Sequence, residues 1–87
     1  MNKSGITDIS PLAKCTKLTT LSLDYNEITD VSPLQGLTNL ESLFLGSNKI
    51  IDVLPLRKLK RIEYLALNNN PVKNRSVLEH LKRNVEF

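Results

Sequence analysis

Every 22 residues the chain repeats itself. Leu18, Leu40 and Ile62 fall in one column, Leu21, Leu43 and Leu65 in the next, then Leu23, Leu45 and Leu67. Asn26, Asn48 and Asn70 follow, and after them Ile28, Ile50 and Val72. The register runs back through Ile6, Asp8, Ile9, Pro11 and Leu12, so three full coils and a partial one are visible. A unit this short cannot bury its own apolar face and must stack on its neighbours, which dictates a solenoid. With 87 residues available, one small domain is the ceiling.

The columns predict local structure. In Thr20-Leu21-Ser22-Leu23-Asp24 apolar and polar residues alternate with period two, so the leucines point inward from a strand and the polar residues point to its other face. Its copies, Ser42 to Gly46 and Tyr64 to Asn68, run in the same direction and give a short parallel sheet. Each asparagine stands where the chain leaves the sheet, where its amide can bond buried backbone groups of its own coil and the next. On the return path, Ser10-Pro11 and Ser32-Pro33 set a capping hydroxyl before a proline at the first position of a tight helical turn. Leu54-Pro55 keeps the proline and loses the hydroxyl, so the third turn is expected to be the least regular. From Asn74 to Arg83 the pattern reads as a longer helix, with Asn74 as N-cap and Val77, Leu78 and Leu81 facing inward. Register then puts Phe87 in the column of Leu21, Leu43 and Leu65.

Leu18-x-x-Leu21-x-Leu23-x-x-Asn26-x-Ile28 fits the leucine-rich repeat pattern. The segments Ile6-Thr7-Asp8-Ile9-Ser10-Pro11-Leu12 and Ile28-Thr29-Asp30-Val31-Ser32-Pro33-Leu34 resemble the 22-residue repeats of bacterial internalins, and Ile50 to Leu56 carries Leu54 in place of the serine. Short eukaryotic phosphatase regulators are similar but rely less on this serine-proline turn. The resemblance implies a right-handed α/β solenoid with a short parallel concave sheet, 3-10 or irregular convex turns and a helical C-terminal closure. It divides the chain into a partial coil over residues 1–17, three repeats over 18–83 and the start of a fourth strand over 84–87. It also implies protein binding, with the partner left open.

Composition removes other classes. The chain is 40% apolar and 24% charged, too apolar for disorder, and no apolar run approaches the ~18 residues of a membrane span. One cysteine and one histidine exclude an internal disulfide and a histidine-rich zinc site. Cys15 shares the column of Leu37 and Leu59 and reads as a small buried apolar group. Asp8, Asp30 and Asp52 stack on the outer path at ~4.8 Å spacing, close enough to share a cation. Calcium takes about six to eight oxygens, however, and neighbouring columns add no carboxylates, so turn capping is the reading. His80 has no nucleophile or carboxylate at a motif spacing, and Gly46-Ser47-Asn48-Lys49 lacks the phosphate-loop pattern, so neither an enzyme nor a cofactor is expected. Met1 to Gly5 has no apolar signal core, which places the chain as given in the cytoplasm and, as part of a longer internalin-like protein, at the cell surface. Only in a secreted setting do the glycosylation tripeptides at Asn2 and Asn74 matter.

Two surfaces are candidates for function. On the open face of the sheet, Phe44 and Tyr64 are diagonal neighbours, Tyr25 stands at the lip, and Ser22, Asp24, Ser42 and Asn68 surround them. Exposed aromatics are enriched at the centres of interfaces, and the competing reading is a pair that only packs on itself. The second surface is basic. Residues 1–43 hold three basic against five acidic residues, and 44–87 hold nine against four. Lys17, Asn39, Arg61 and Arg83 form one column, with Lys60 and Lys82 in the next and Lys14 and Lys58 in another. With Arg57 they make a basic edge able to attract nucleic acid or an acidic partner, although no aromatic interleaves with it. The alternatives to concave-face protein binding are therefore an adaptor working through Arg57, Lys58, Lys60 and Arg61, and a structural spacer whose open ends stack on further coils or on a second copy.

Overall fold

The computed structural model describes residues 3–87, with the side chains of 82–84 set aside. Four strands, β1 (Thr20–Ser22), β2 (Ser42–Phe44), β3 (Tyr64–Ala66) and β4 (Val85–Glu86), form one sheet in sequence order. All neighbours are parallel, with Leu21 beside Leu43, Leu43 beside Leu65, and Leu65 beside Val85. A 3-10 helix follows the return path of each coil: Ser10–Lys14, Ser32–Leu34, Leu54–Lys58 and Arg75–Asn84. Between sheet and turns lies one core, in which Leu23, Leu34, Leu37, Leu40, Leu43, Leu45, Ile50, Leu56, Leu59 and Leu65 are wholly buried.

The asparagine ladder holds the coils together. The Asn48 side chain donates through Nδ2 to the carbonyls of Leu23 and Leu45 at 3.0 Å and of Gly46 at 3.2 Å. Its Oδ1 accepts the N–H of Ile28 at 3.1 Å. Asn26 accepts from the N–H groups of Ser4 and Ile6, and Asn70 from those of Asn48 and Ile50. Each side chain thus serves its own coil and the preceding one, whereas the pattern suggested the following one. In this way the ladder gives partners to buried backbone groups where the chain leaves the sheet, sharing the Gly46 carbonyl with the Tyr25 N–H.

The structure corrects four expectations. First, the serines do not cap the return turns. Asp8 Oδ1 accepts the N–H of Ser10, Asp30 Oδ1 that of Ser32 and Asp52 Oδ1 that of Leu54, each at 2.9 Å. Since the aspartate is present in all three coils, the Leu54 turn loses nothing, and at five residues it is longer than the Ser32 turn of three.

Second, the C-terminal closure is not one amphipathic helix. Arg75–Asn84 forms consecutive 3-10 turns broken at Leu78 (φ −105°, ψ 19°). Asn74 supplies no cap, because its amide is committed to the coil before: Oδ1 accepts from the N–H of Val53 at 3.0 Å and Nδ2 donates to Asp52 at 2.6 Å. Leu78 and Leu81 are buried as expected, and Val77 is half-buried.

Third, Val85 rather than Phe87 occupies the core column beside Leu65, because the last coil closes in 20 residues instead of 22. Phe87 is exposed, its ring under the Arg75 guanidinium at 4.7 Å. Fourth, Cys15 is exposed although Leu37 and Leu59 in its column are buried. The later coils pack between two neighbours, and the first has one only on its C-terminal side.

Candidate binding surface

Strand alternation turns Phe44 and Tyr64 away from the leucine columns, and the register sets Phe44 beside Ala66 and Tyr64 beside Ser42. The two rings meet across the diagonal with centroids 5.5 Å apart and planes tilted by 46°. Small residues lie beneath and beside them. Ala66 is buried, and Gly46 leaves room for its neighbours, since a Cβ there would stand 2.8 Å from Asn68 Oδ1 and 3.1 Å from Asp24 Oδ1. Asp24 uses that room to accept the Gly46 N–H at 2.7 Å. With Tyr25, Ser47 and Glu86 these residues border a depression of about 220 Å³ on the open face of the sheet.

Its rim is built by the repeat itself. Lys3, Tyr25, Ser47 and Asn69 recur at one position of the coil, and all have φ between 56° and 60°. That left-handed conformation is strained for an aromatic residue, so the turn over-determines where Tyr25 points. Tyr25 is 57% exposed, with the Lys3 ammonium 5.4 Å from its ring centroid. At the opposite rim, Glu86 accepts a hydrogen bond from the Tyr64 hydroxyl. That bond, then burial, then the charges of Glu86 and Asp24 hold the Tyr64 phenol above its usual pKa.

Of the residues singled out in the sequence, Phe44, Tyr64, Tyr25, Asp24 and Asn68 come together around this depression, while Ser22 and Ser42 lie on the same face outside its lining. Gly46, Ser47, Ala66 and Glu86 complete it and were not singled out. The signal for the first three is their smallness between larger neighbours. The 22-residue register sets Glu86 in the column of Thr20, Ser42 and Tyr64, whereas the shorter last coil pairs it with Ala66.

The basic edge does not converge in the same way. Arg57 and Lys58 border a groove of about 340 Å³ on the outer side with Gln35, Leu54 and Pro55. Arg61 donates instead to Asn39 Oδ1 at 2.9 Å, and Asn39 Nδ2 donates to the Thr16 carbonyl at 2.9 Å. Lys60 is exposed, and Lys82 and Arg83 fall outside the described side chains. Among the described residues no cluster of three potential metal ligands occurs, and no helix is long and apolar enough to cross a membrane.

A family model described as leucine-rich repeats (2 copies) matches residues 1–36. An internalin (inlF) of Listeria monocytogenes superposes with a TM-score of 0.89 at 36% identity over 94% of this chain, and internalin C2 (inlC2) of the same species with 0.86 at 38% identity over 94%. A leucine-rich repeat protein of Leptospira interrogans superposes with 0.77 at 22% identity over 93%, a likeness of fold alone. The chain spans 25%, 36% and 22% of the lengths of these three. No curated protein sequence matches it. The 22-residue register, the parallel sheet, the asparagine ladder and these likenesses make the chain a leucine-rich repeat protein of the internalin-like kind.

Proposed function

We propose that the chain is a non-enzymatic module that binds a protein partner on its concave face, with Phe44 and Tyr64 as anchors. Leucine-rich repeat proteins mediate protein–protein interaction, and curved solenoids offer extended concave surfaces for it. One observation carries the reading: the aromatic pair stands on the open face, outside the leucine core, and is ringed by polar groups. Large rigid side chains in that setting supply most of an interface's energy while their polar surround excludes water. As part of a longer internalin-like protein, the module works at the cell surface.

The test compares proteins captured by the immobilised parent chain with those captured by Phe44→Ala and by a Lys58, Lys60 and Arg61 triple alanine variant. Phe44→Ala is expected to leave the urea midpoint nearly unchanged and to weaken a captured complex about 30-fold, at 1.4 kcal/mol per factor of ten. If the triple variant loses the partner and Phe44→Ala keeps it, the basic edge is the binding surface instead.

A further inference from the structure

The chain carries 12 Lys and Arg residues, yet the sheet-face positions Thr20, Ser22, Asp24, Ser42, Phe44, Gly46, Tyr64, Ala66, Asn68 and Glu86 include none of them. Two of those positions are carboxylates instead, Asp24 on one side of the aromatic pair and Glu86 on the other. On a chain with net charge +3, the concave depression is a local reversal of sign. Neither carboxylate meets a cation among the described residues: Asp24 is bonded to Gly46 N–H and Glu86 to the Tyr64 hydroxyl. Among the described residues the Lys3 ammonium lies over the ring of Tyr25, and no cation stands over Phe44 or Tyr64.

Resting on the concave-face reading, we propose that this depression receives a lysine or arginine side chain of the partner protein, laid against Phe44 and Tyr64 between Asp24 and Glu86. The chemistry is complementary at each contact. An aromatic face is negative and attracts a cation within about 6 Å of its centroid. A carboxylate with a free lone pair accepts from an ammonium or a guanidinium, and the bond is stronger where the wall beside it is apolar. A volume of about 220 Å³ admits one long side chain with its methylene stem, floored by Ala66 and Gly46. The pKa of the Tyr64 phenol is raised chiefly by its bond to Glu86 and by burial, and further by the charges of Glu86 and Asp24, which oppose a phenolate and favour a cation. The same geometry disfavours acidic and phosphorylated segments, which meet two like charges there.

The probes are blocked pentapeptides Ac-Gly-Ser-X-Ser-Gly-NH₂ in which X is arginine, lysine, citrulline or glutamate, titrated into the ¹⁵N-labelled 87-residue chain. Arginine and lysine peptides are expected to shift the amides of Phe44, Gly46, Tyr64, Ala66 and Asn68, and to bind at least tenfold more tightly than the citrulline peptide, which keeps the shape and removes the charge. Asp24→Asn with Glu86→Gln preserves both internal acceptors and is expected to abolish that preference. Shifts confined to Arg57, Lys58 and Lys60 with the glutamate peptide, or a citrulline peptide that binds as well as the arginine one, would overturn the proposal. So would full binding by the double variant. In a captured complex, loss on Phe44→Ala with no change on Asp24→Asn and Glu86→Gln sinks the cationic assignment while leaving the concave face standing. Indifference to all three substitutions sinks both.

Discussion

Asn48 is the residue on which most depends for its size. It is 7% exposed, holds the Ile28 N–H, and shares the carbonyls of Leu23, Leu45 and Gly46 with Asn26, Asn70 and the Tyr25 N–H. Asn48→Ala takes the acceptor from the buried Ile28 N–H and one of two donors from each of the three carbonyls, at a cost of about 1–3 kcal/mol. In so small a domain that is a large share of the total, and urea unfolding should show a midpoint well below the parent's. An unchanged midpoint would contradict the ladder. The asparagines were legible in the sequence because a polar residue at a fixed place in an apolar repeat has few other uses. The left-handed residue just before each of them was not. Tyr25, Ser47 and Asn69 share a φ and no chemistry, so nothing in their side chains announces the turn.

At the scale of the element, the return turns depend on an aspartate rather than a serine. Asp8 and Asp52 have carboxyl pKa values below the ordinary one, chiefly because each accepts a backbone N–H, of Ser10 and Leu54 respectively. Depressed in the folded state, these groups contribute stability that is full above the ordinary value of about 3.9 and is lost as pH falls through the lower folded values. Both are exposed, so the contribution is modest and salt-screened. Asp8→Asn with Asp52→Asn keeps an acceptor in each turn. It is expected to flatten the fall of the melting temperature below about pH 4 relative to the parent, while changing it little at pH 7. A variant that melts with the parent's acid dependence would show that the turns are not held this way. Proline fixes the start of the turn and the serine is not its cap; the acceptor is the aspartate two residues before, which the sequence also offers as a turn-capping residue.

For the whole molecule, four strands at about 4.8 Å make a sheet roughly as wide as the shortest dimension, 16 Å of 30 × 28 × 16 Å. Three of the strands and their register were readable from the period alone. The fourth coil closes early because its return path no longer follows the aspartate-proline pattern, which moves Glu86, one wall of the depression, from the column of Tyr64 to a place beside Ala66. At the other side β1 is an edge strand, and the first coil leaves Ile6, Leu12 and Leu18 half-buried and Cys15 exposed. Unpaired strand groups beside apolar side chains favour pairing with a second copy, most simply about a twofold axis that joins two β1 edges antiparallel. For the 87-residue chain, sedimentation is expected to show a dimer growing with concentration. A monomer up to millimolar protein would mean that this edge is adequately covered.

The asparagine ladder has a direction. Because every rung reaches back, the amide of Ile6 is tied to Asn26, that of Ile28 to Asn48 and that of Ile50 to Asn70. Each amide is therefore guarded by the coil that follows it, and deuterium uptake at Ile28 reports the opening of the coil that carries Asn48, not of its own. Opening that starts at the C-terminal side would release Ile50 first, then Ile28, then Ile6, each amide reporting the departure of the coil after its own.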